Sequence, residues 1–96
     1  MKYFKAEWNE TRGDEYDHWG KSIWFLELDE EHFPIRQIEV YENGIRLKYD
    51  RVNFEDSYGM LGDQPISPEE IKGVEINKIL FEAEWSVEGK KLQLTQ

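Results

Sequence analysis

Few residues in this chain have types and spacing that bear on chemistry. Asp14-Glu15-Tyr16-Asp17-His18 is the densest group of potential ligands. Carboxylates with one imidazole suit a hard or borderline cation. The spacing fits no calcium loop, because the regular odd-position oxygens and the closing bidentate Glu are missing. A solvated loop accounts for it better. Asp29-Glu30-Glu31 could supply paired carboxylates for acid–base work, which needs one of them in a dry pocket with a shifted pKa. Three adjacent acids beside a turn usually stay wet, so this group too reads as surface. A nucleophile–imidazole–acid arrangement would need His18 or His32, with Ser22, Ser57, Ser67 or Ser86 as nucleophile. None of these serines sits in a Gly-x-Ser-x-Gly turn. Gly59-Met60-Leu61-Gly62 lacks the Lys and the spacing of a phosphate loop. No catalytic, cofactor-binding or metal-ligating residue is therefore assigned, no cofactor is expected, and the chain is not read as an enzyme.

Arg36 is the more informative charge. Strand alternation puts it with Ile38 and Val40, on the face expected to be core. A charge there needs a carboxylate. Glu27 or Asp29, across the preceding turn, can supply it. Tyr16, Trp19 and Tyr58 fall in loops beside acids. Such aromatics either contact a partner or cap a small core.

The elements that position these residues follow from pattern. The chain has 96 residues, a net charge of −9 and no Cys. A single domain over 1–96 is expected. Four Trp, five Tyr and five Phe are too many for a disordered acidic tail. Without Cys there is no disulfide scaffold, zinc finger or thiol chemistry, which fits a reducing compartment. No apolar run nears the roughly 20 residues of a membrane span, and no signal peptide is expected. The acidity argues against nucleic acid and anionic membrane as partners. It is also uneven: residues 22–44 hold six acids against one base, Arg36.

Tyr3–Trp8 alternates, with Phe4, Ala6 and Trp8 opposite Tyr3, Lys5 and Glu7, and reads as a half-buried strand. Residues 9–21 read as a long loop. Ser22–Leu28, apolar on both sides, reads as a more central strand. Asp29–Pro34 is a turn region. Asn43-Gly44 predicts a two-residue type I′ hairpin between Ile35–Glu42 and Ile45–Val52. That register pairs Tyr41 with Arg46, Val40 with Leu47, Glu39 with Lys48 and Ile38 with Tyr49. Residues 53–66 form a second loop. Ser67-Pro68-Glu69-Glu70 predicts a short helix with a capping box, ended by Gly73. Asn77 predicts a cap for a second helix from Lys78 to about Val87, with Ile76 and Phe81 as a hydrophobic staple and Gly89 as its stop. The tail Lys90–Gln96 carries a weak strand pattern. The expected class is α+β: a four-stranded, mostly antiparallel meander, with a short helix and a C-terminal helix packed on one face.

Glu27-Leu28-Asp29, Phe33, Arg36, Ile38-Glu39-Val40-Tyr41 and Asn43-Gly44 together resemble a family of small bacterial domains of unknown function. In that family Glu-Leu-Asp and an aromatic precede Arg-x-Val-Glu-Val-Phe and then Asp-Gly or Asn-Gly. The resemblance continues through Leu61-Gly62, Pro65-Ile66, Glu70-Ile71, Glu75-Ile76 and Phe81–Trp85, about two thirds of the chain. It implies a bacterial, cytoplasmic protein, implies no activity and transfers no catalytic residue; some such families are similar to immunity proteins encoded beside secreted toxins.

The reading that follows is an immunity-type inhibitor of a basic, nuclease-like toxin, a protein partner with a basic surface. Candidate contact residues are Asp14, Glu15, Asp17, Trp19, Glu30, Glu31, Asp56 and Tyr58, all in loops. The alternative is a structural or regulatory module acting by self-association or by sheet-edge pairing of Tyr3–Trp8 or 45–52, so either a monomer or a homodimer fits. A small carboxylate–histidine enzyme built on Asp14, Asp17 and His18 ranks last.

Overall fold

The alternating apolar residues of the first half assemble into one antiparallel sheet. The computed structural model describes residues 1–88. Its elements are β1 (Lys2–Trp8), β2 (Ser22–Leu28), β3 (Pro34–Tyr41), β4 (Arg46–Asp50), β5 (Val74–Ile76) and α1 (Lys78–Ser86). The order across the sheet is β4-β3-β2-β1-β5, and every neighbouring pair is antiparallel. The expected meander is therefore present, with β2 at its centre.

The fifth strand corrects the expected count of four. Val74–Ile76 is too short for alternation to reveal it. Lys72, at a φ of 54°, turns the chain back, and Val74–Ile76 then pairs with Tyr3–Lys5. The short helix after Ser67 is a second correction. Its cap forms, with the Ser67 hydroxyl accepting the Glu70 amide at 3.3 Å. The segment nevertheless closes as one hydrogen-bonded turn, because the left-handed Lys72 stops propagation. Asn77 caps α1 as expected, its side chain accepting the Leu80 amide at 2.8 Å, a contact worth about 1 kcal/mol. The Gly89 stop and the Lys90–Gln96 strand pattern lie outside the described residues.

The β3–β4 hairpin forms, but one residue out of the expected register. The Gly44 amide donates to the Tyr41 carbonyl, and the Tyr41 amide donates to the Ile45 carbonyl, both at 2.9 Å. Glu42, Asn43 and Gly44 thus make a three-residue loop with Gly44 at a φ of 92°. Val40 pairs with Arg46, Glu39 with Leu47 and Ile38 with Lys48. A one-residue slip exchanges the two faces. Leu47 and Tyr49 therefore lie beside Gln37, Glu39 and Tyr41, and the expected Glu39–Lys48 and Tyr41–Arg46 pairs do not form.

Arg46 and Lys48 face α1 instead. Lys48 Nζ donates to the carbonyls of Trp85 at 2.9 Å and Val87 at 3.2 Å. Arg46 holds the Glu84 carbonyl and carboxylate, each at 3.1 Å. Both cations sit where the last carbonyls of a helix favour positive charge. On this face α1 buries Phe81 completely, against Tyr3, Phe25 and Ile38. That burial contributes about 2 kcal/mol.

The other face is covered too, by loops. Trp19, Tyr41, Leu47, Tyr49 and Leu61 form one cluster there, and Phe4, Leu26 and Leu28 form another under Ile66 and Ile71. Two covered faces explain why Ser22–Leu28 is apolar on both sides.

Candidate functional site

The loop cover of the second face has a gap. Loop 9–21, together with Tyr58–Met60, covers the β3–β4 side, while Ile66 and Ile71 cover the far end of β1 and β2. Between them the sheet is open over two compartments that share Trp8 and Trp24.

The first compartment is an apolar hollow of about 210 Å³, lined by Ala6, Trp8, Trp24, Leu26, Ile66 and Ile71. The β1–β2 register builds it: Ala6 stands opposite Trp24, and Trp8 opposite Ser22. The two indoles are therefore diagonal neighbours, with centroids 6.3 Å apart. Ala6 leaves space where every adjacent side chain is large. The Trp24 Nε1–H donates to the Ser22 hydroxyl at 2.8 Å, which fixes that ring. Trp8 keeps 45% of its surface exposed.

The second compartment is a cleft of about 480 Å³ with a mixed polar and aromatic lining. Glu39, Tyr41 and Arg12 line its interior, with Glu10 and Asp14 also on its walls. Glu39 lies directly across the strand pair from Trp24 and is 5% exposed. Its two oxygens accept from the Tyr41 hydroxyl at 2.6 Å and from Gln37 Nε2 at 2.7 Å. Burial pushes the Glu39 carboxyl above its usual range, and the two donors hold the rise back. Burial likewise raises the Tyr41 phenol, and the negative charge of Glu39 adds to the shift. Both Glu39 oxygens are held within the fold, so the group acts as a fixed charge behind the cleft.

Arg12 arches over an aromatic wall. Its guanidinium is 5.2 Å from the ring centroids of Tyr16 and Trp19 and 5.9 Å from that of Tyr41. It donates to the Tyr58 carbonyl at 2.5 Å and lies 3.0 Å from Asp14 Oδ2. Burial works against its charge, but Asp14 and Tyr41 outweigh that and hold its pKa above the ordinary value.

The structure divides the eight candidate contact residues. Asp14, Glu15 and Asp17 are exposed on loop 9–21. The Tyr16 amide leads in lowering the Asp14 pKa, and Thr11 and the Gly13 amide lower that of Asp17. Trp19 is 0% exposed, so it presents nothing to a partner. It ends a single 3₁₀ turn, Asp17–Trp19, and packs its ring against Tyr41 at 5.1 Å. Tyr58 is half-buried against Tyr16 and Trp19. Asp56 ties its own loop, accepting from the Tyr49 hydroxyl and the Tyr58 and Gly59 amides. Glu30 and Glu31 are exposed in the β2–β3 turn, one strand length, about 20 Å, from loop 9–21. The loop aromatics thus cap the core, and only Asp14 and Tyr58 of the eight line the cleft.

The acid-rich stretch 22–44 also resolves into separate duties. Glu27 pairs with Arg36 at 2.6 Å. Asp29 ties the turn through the Glu31 and Phe33 amides and meets Arg51 at 3.3 Å. Glu42 accepts the Lys21 amide at 2.7 Å, and Glu39 is buried. Among the described residues no group of three or more His, Asp or Glu is placed to hold a metal ion, and no helix is long and apolar enough to cross a membrane. No protein-family model, curated protein or solved structure matches the chain.

Proposed function

We propose that the chain is a binding protein for a partner with a basic surface, an immunity-type inhibitor of a nuclease-like toxin. One observation carries this reading. All four arginines are engaged in ion pairs within the fold: Arg12 with Asp14, Arg36 with Glu27 and Glu82, Arg46 with Glu84, and Arg51 with Asp29. Glu7, Glu10, Glu15, Glu30, Glu31, Glu69 and Glu75 are exposed. Lys2, Lys5, Lys21, Lys72 and Lys78 are exposed as well, but the exposed carboxylates outnumber them, so the surface carries the sign of the net charge of −9. Such a field steers a cationic protein above the neutral association rate of about 10⁵–10⁶ M⁻¹s⁻¹. The test is capture with the immobilised chain, identification of the retained protein, and its association rate at about 0.05 and 0.5 M salt. A basic partner whose on-rate falls steeply with salt is expected. A partner bound equally fast at both salts overturns the reading.

A second reading is favoured by one edge. β5 covers β1 only over Tyr3–Lys5, so Ala6–Trp8 extends past its neighbour strand. Another copy could pair there. Sedimentation at micromolar concentration tests it, and a monomer throughout removes it.

A further inference from the structure

We propose that the paired compartments at Trp8 and Trp24 take one short segment of a basic protein partner. The apolar hollow receives a single Phe or Leu side chain, and the adjoining cleft receives a Lys or Arg two residues away. This rests on the reading of the chain as a receptor for a basic partner.

Size decides the first half. A hollow of about 210 Å³ exceeds the roughly 150 Å³ cavity that accommodates benzene. It falls short of the roughly 300 Å³ at which pockets for drug-sized ligands begin. It therefore suits one aromatic or branched side chain. Its six lining residues present an apolar surface, and Trp24 has its Nε1–H occupied by Ser22. A polar group entering it would find no partner there.

Charge decides the second half. The cleft brings Glu10, Asp14 and Glu39 together against the one cation Arg12. Arg12 and Asp14 offset each other at 3.0 Å, so Glu10 and the Glu39 behind the cleft set the sign of its lining. A cation entering beside Trp8 and Trp24 meets carboxylates and two indole faces, which also attract cations. An anion meets net repulsion. Spacing links the halves. The two compartments adjoin at Trp8 and Trp24, and side chains at i and i+2 of an extended segment point to the same side about 6.6 Å apart, so one short segment can enter both.

The test uses three peptides, Ac-Phe-Gly-Arg-NH2, Ac-Phe-Gly-Glu-NH2 and Ac-Gly-Gly-Arg-NH2, added to the ¹⁵N-labelled full chain. The readout is the four indole N–H resonances. Trp19, buried under the loops, and Trp85, on the helix side, serve as internal references. The Phe-Gly-Arg peptide should shift Trp8 and Trp24, leave Trp19 and Trp85 in place, and titrate with a Kd of about 1 mM. Each of the other two peptides should bind at least about tenfold more weakly. Trp8→Ala removes an exposed ring, so the fold is kept and the Trp24 resonance still reports. It should weaken binding by about tenfold or more.

No shift at Trp24 overturns the proposal. So does an equal response to the Glu peptide or to the Gly-Gly peptide, or an unchanged Kd in Trp8→Ala. A basic partner whose complex ignores Trp8→Ala overturns this site and leaves the broader reading standing. Peptide binding as expected, with every captured partner indifferent to salt, overturns the broader reading alone.

Discussion

Arg36 Nη2 lies 2.6 Å from Glu82 Oε2, which bolts α1 to the start of β3. The same guanidinium holds Glu27 at 2.6 Å and lies 4.8 Å from the Phe81 ring centroid. The two carboxylates differ in environment. The Glu27 side chain is 9% exposed and that of Glu82 is 40% exposed. Arg36→Met leaves Glu27 buried without its partner and should cost about 2–4 kcal/mol. Glu82→Gln, at a screened site, should cost about 0.5–1 kcal/mol. Urea unfolding followed by Trp fluorescence distinguishes them. Equal losses would mean that the helix side, and not the buried Glu27, sets the cost.

Glu39→Gln should destabilise the fold by about 1–3 kcal/mol although it removes a buried charge. Glu39 accepts from two donors, Tyr41 and Gln37. Gln37 cannot simply turn its amide, because its nitrogen also donates to the Met60 carbonyl and its oxygen accepts the Gly62 amide. A carboxamide at position 39 can keep its oxygen on Gln37 Nε2 and turn its NH2 to the Tyr41 oxygen, but both contacts lose the charge that strengthens them. A gain in stability would show that the penalty for burying the charge outweighs those two hydrogen bonds.

Acid should weaken the fold, and the variants should change the slope in opposite directions. The Arg36 hydrogen bond holds the Glu82 carboxyl below its ordinary 4.5. Its stabilisation is fully present above that value and is lost as the pH falls through the lower, folded value. Asp29 behaves alike, through the Phe33 amide first. Glu39 is raised, so its protonation on acidification favours the folded state. Urea midpoints measured downward from neutral pH should fall less steeply in Glu82→Gln and more steeply in Glu39→Gln. Parallel curves for all three proteins would contradict this assignment.

Gly20→Ala should lose about 2 kcal/mol or more. Gly20 has a φ of 88°, and an added Cβ would stand 2.5 Å from Glu42 Oε1, the oxygen that accepts the Lys21 amide. Thermal unfolding gives the measurement. A change within about 0.5 kcal/mol would mean that loop 9–21 re-anchors freely.

Local chemistry made much of this fold legible. Alternation located β1 and β2, and Asn77 with the Ile76–Phe81 pair located α1. The charge on the core face of β3 predicted a carboxylate partner for Arg36, Glu27 or Asp29, and Glu27 is the one of the two that pairs. What escaped depended on distant packing. Asn-Gly favours a two-residue hairpin, but its Gly can also take the left-handed position that closes a three-residue one. The choice fell to Leu47 and Tyr49 burying under Trp19 and Leu61, while Lys48 reached the end of α1. With that register unknown, Glu39 read as a surface ion pair. Loop acids and aromatics drew attention to Trp19, which is interior. The indoles of Trp8 and Trp24 meet only through the β1–β2 register, which no spacing along the chain encodes.

Tyr3 pairs with Ile76, so β1 is completed by β5, a strand made much later. On the ribosome β1 can join β2 early, but its outer edge waits until the segment through Ile76 has emerged. Phe81 arrives next and packs on Tyr3 at 5.2 Å. Closing so long a loop is entropically expensive and slows folding. During synthesis, then, β1 of each nascent chain offers an open edge to its neighbours on the same message, and crowded polysomes are where this protein would most readily mispair.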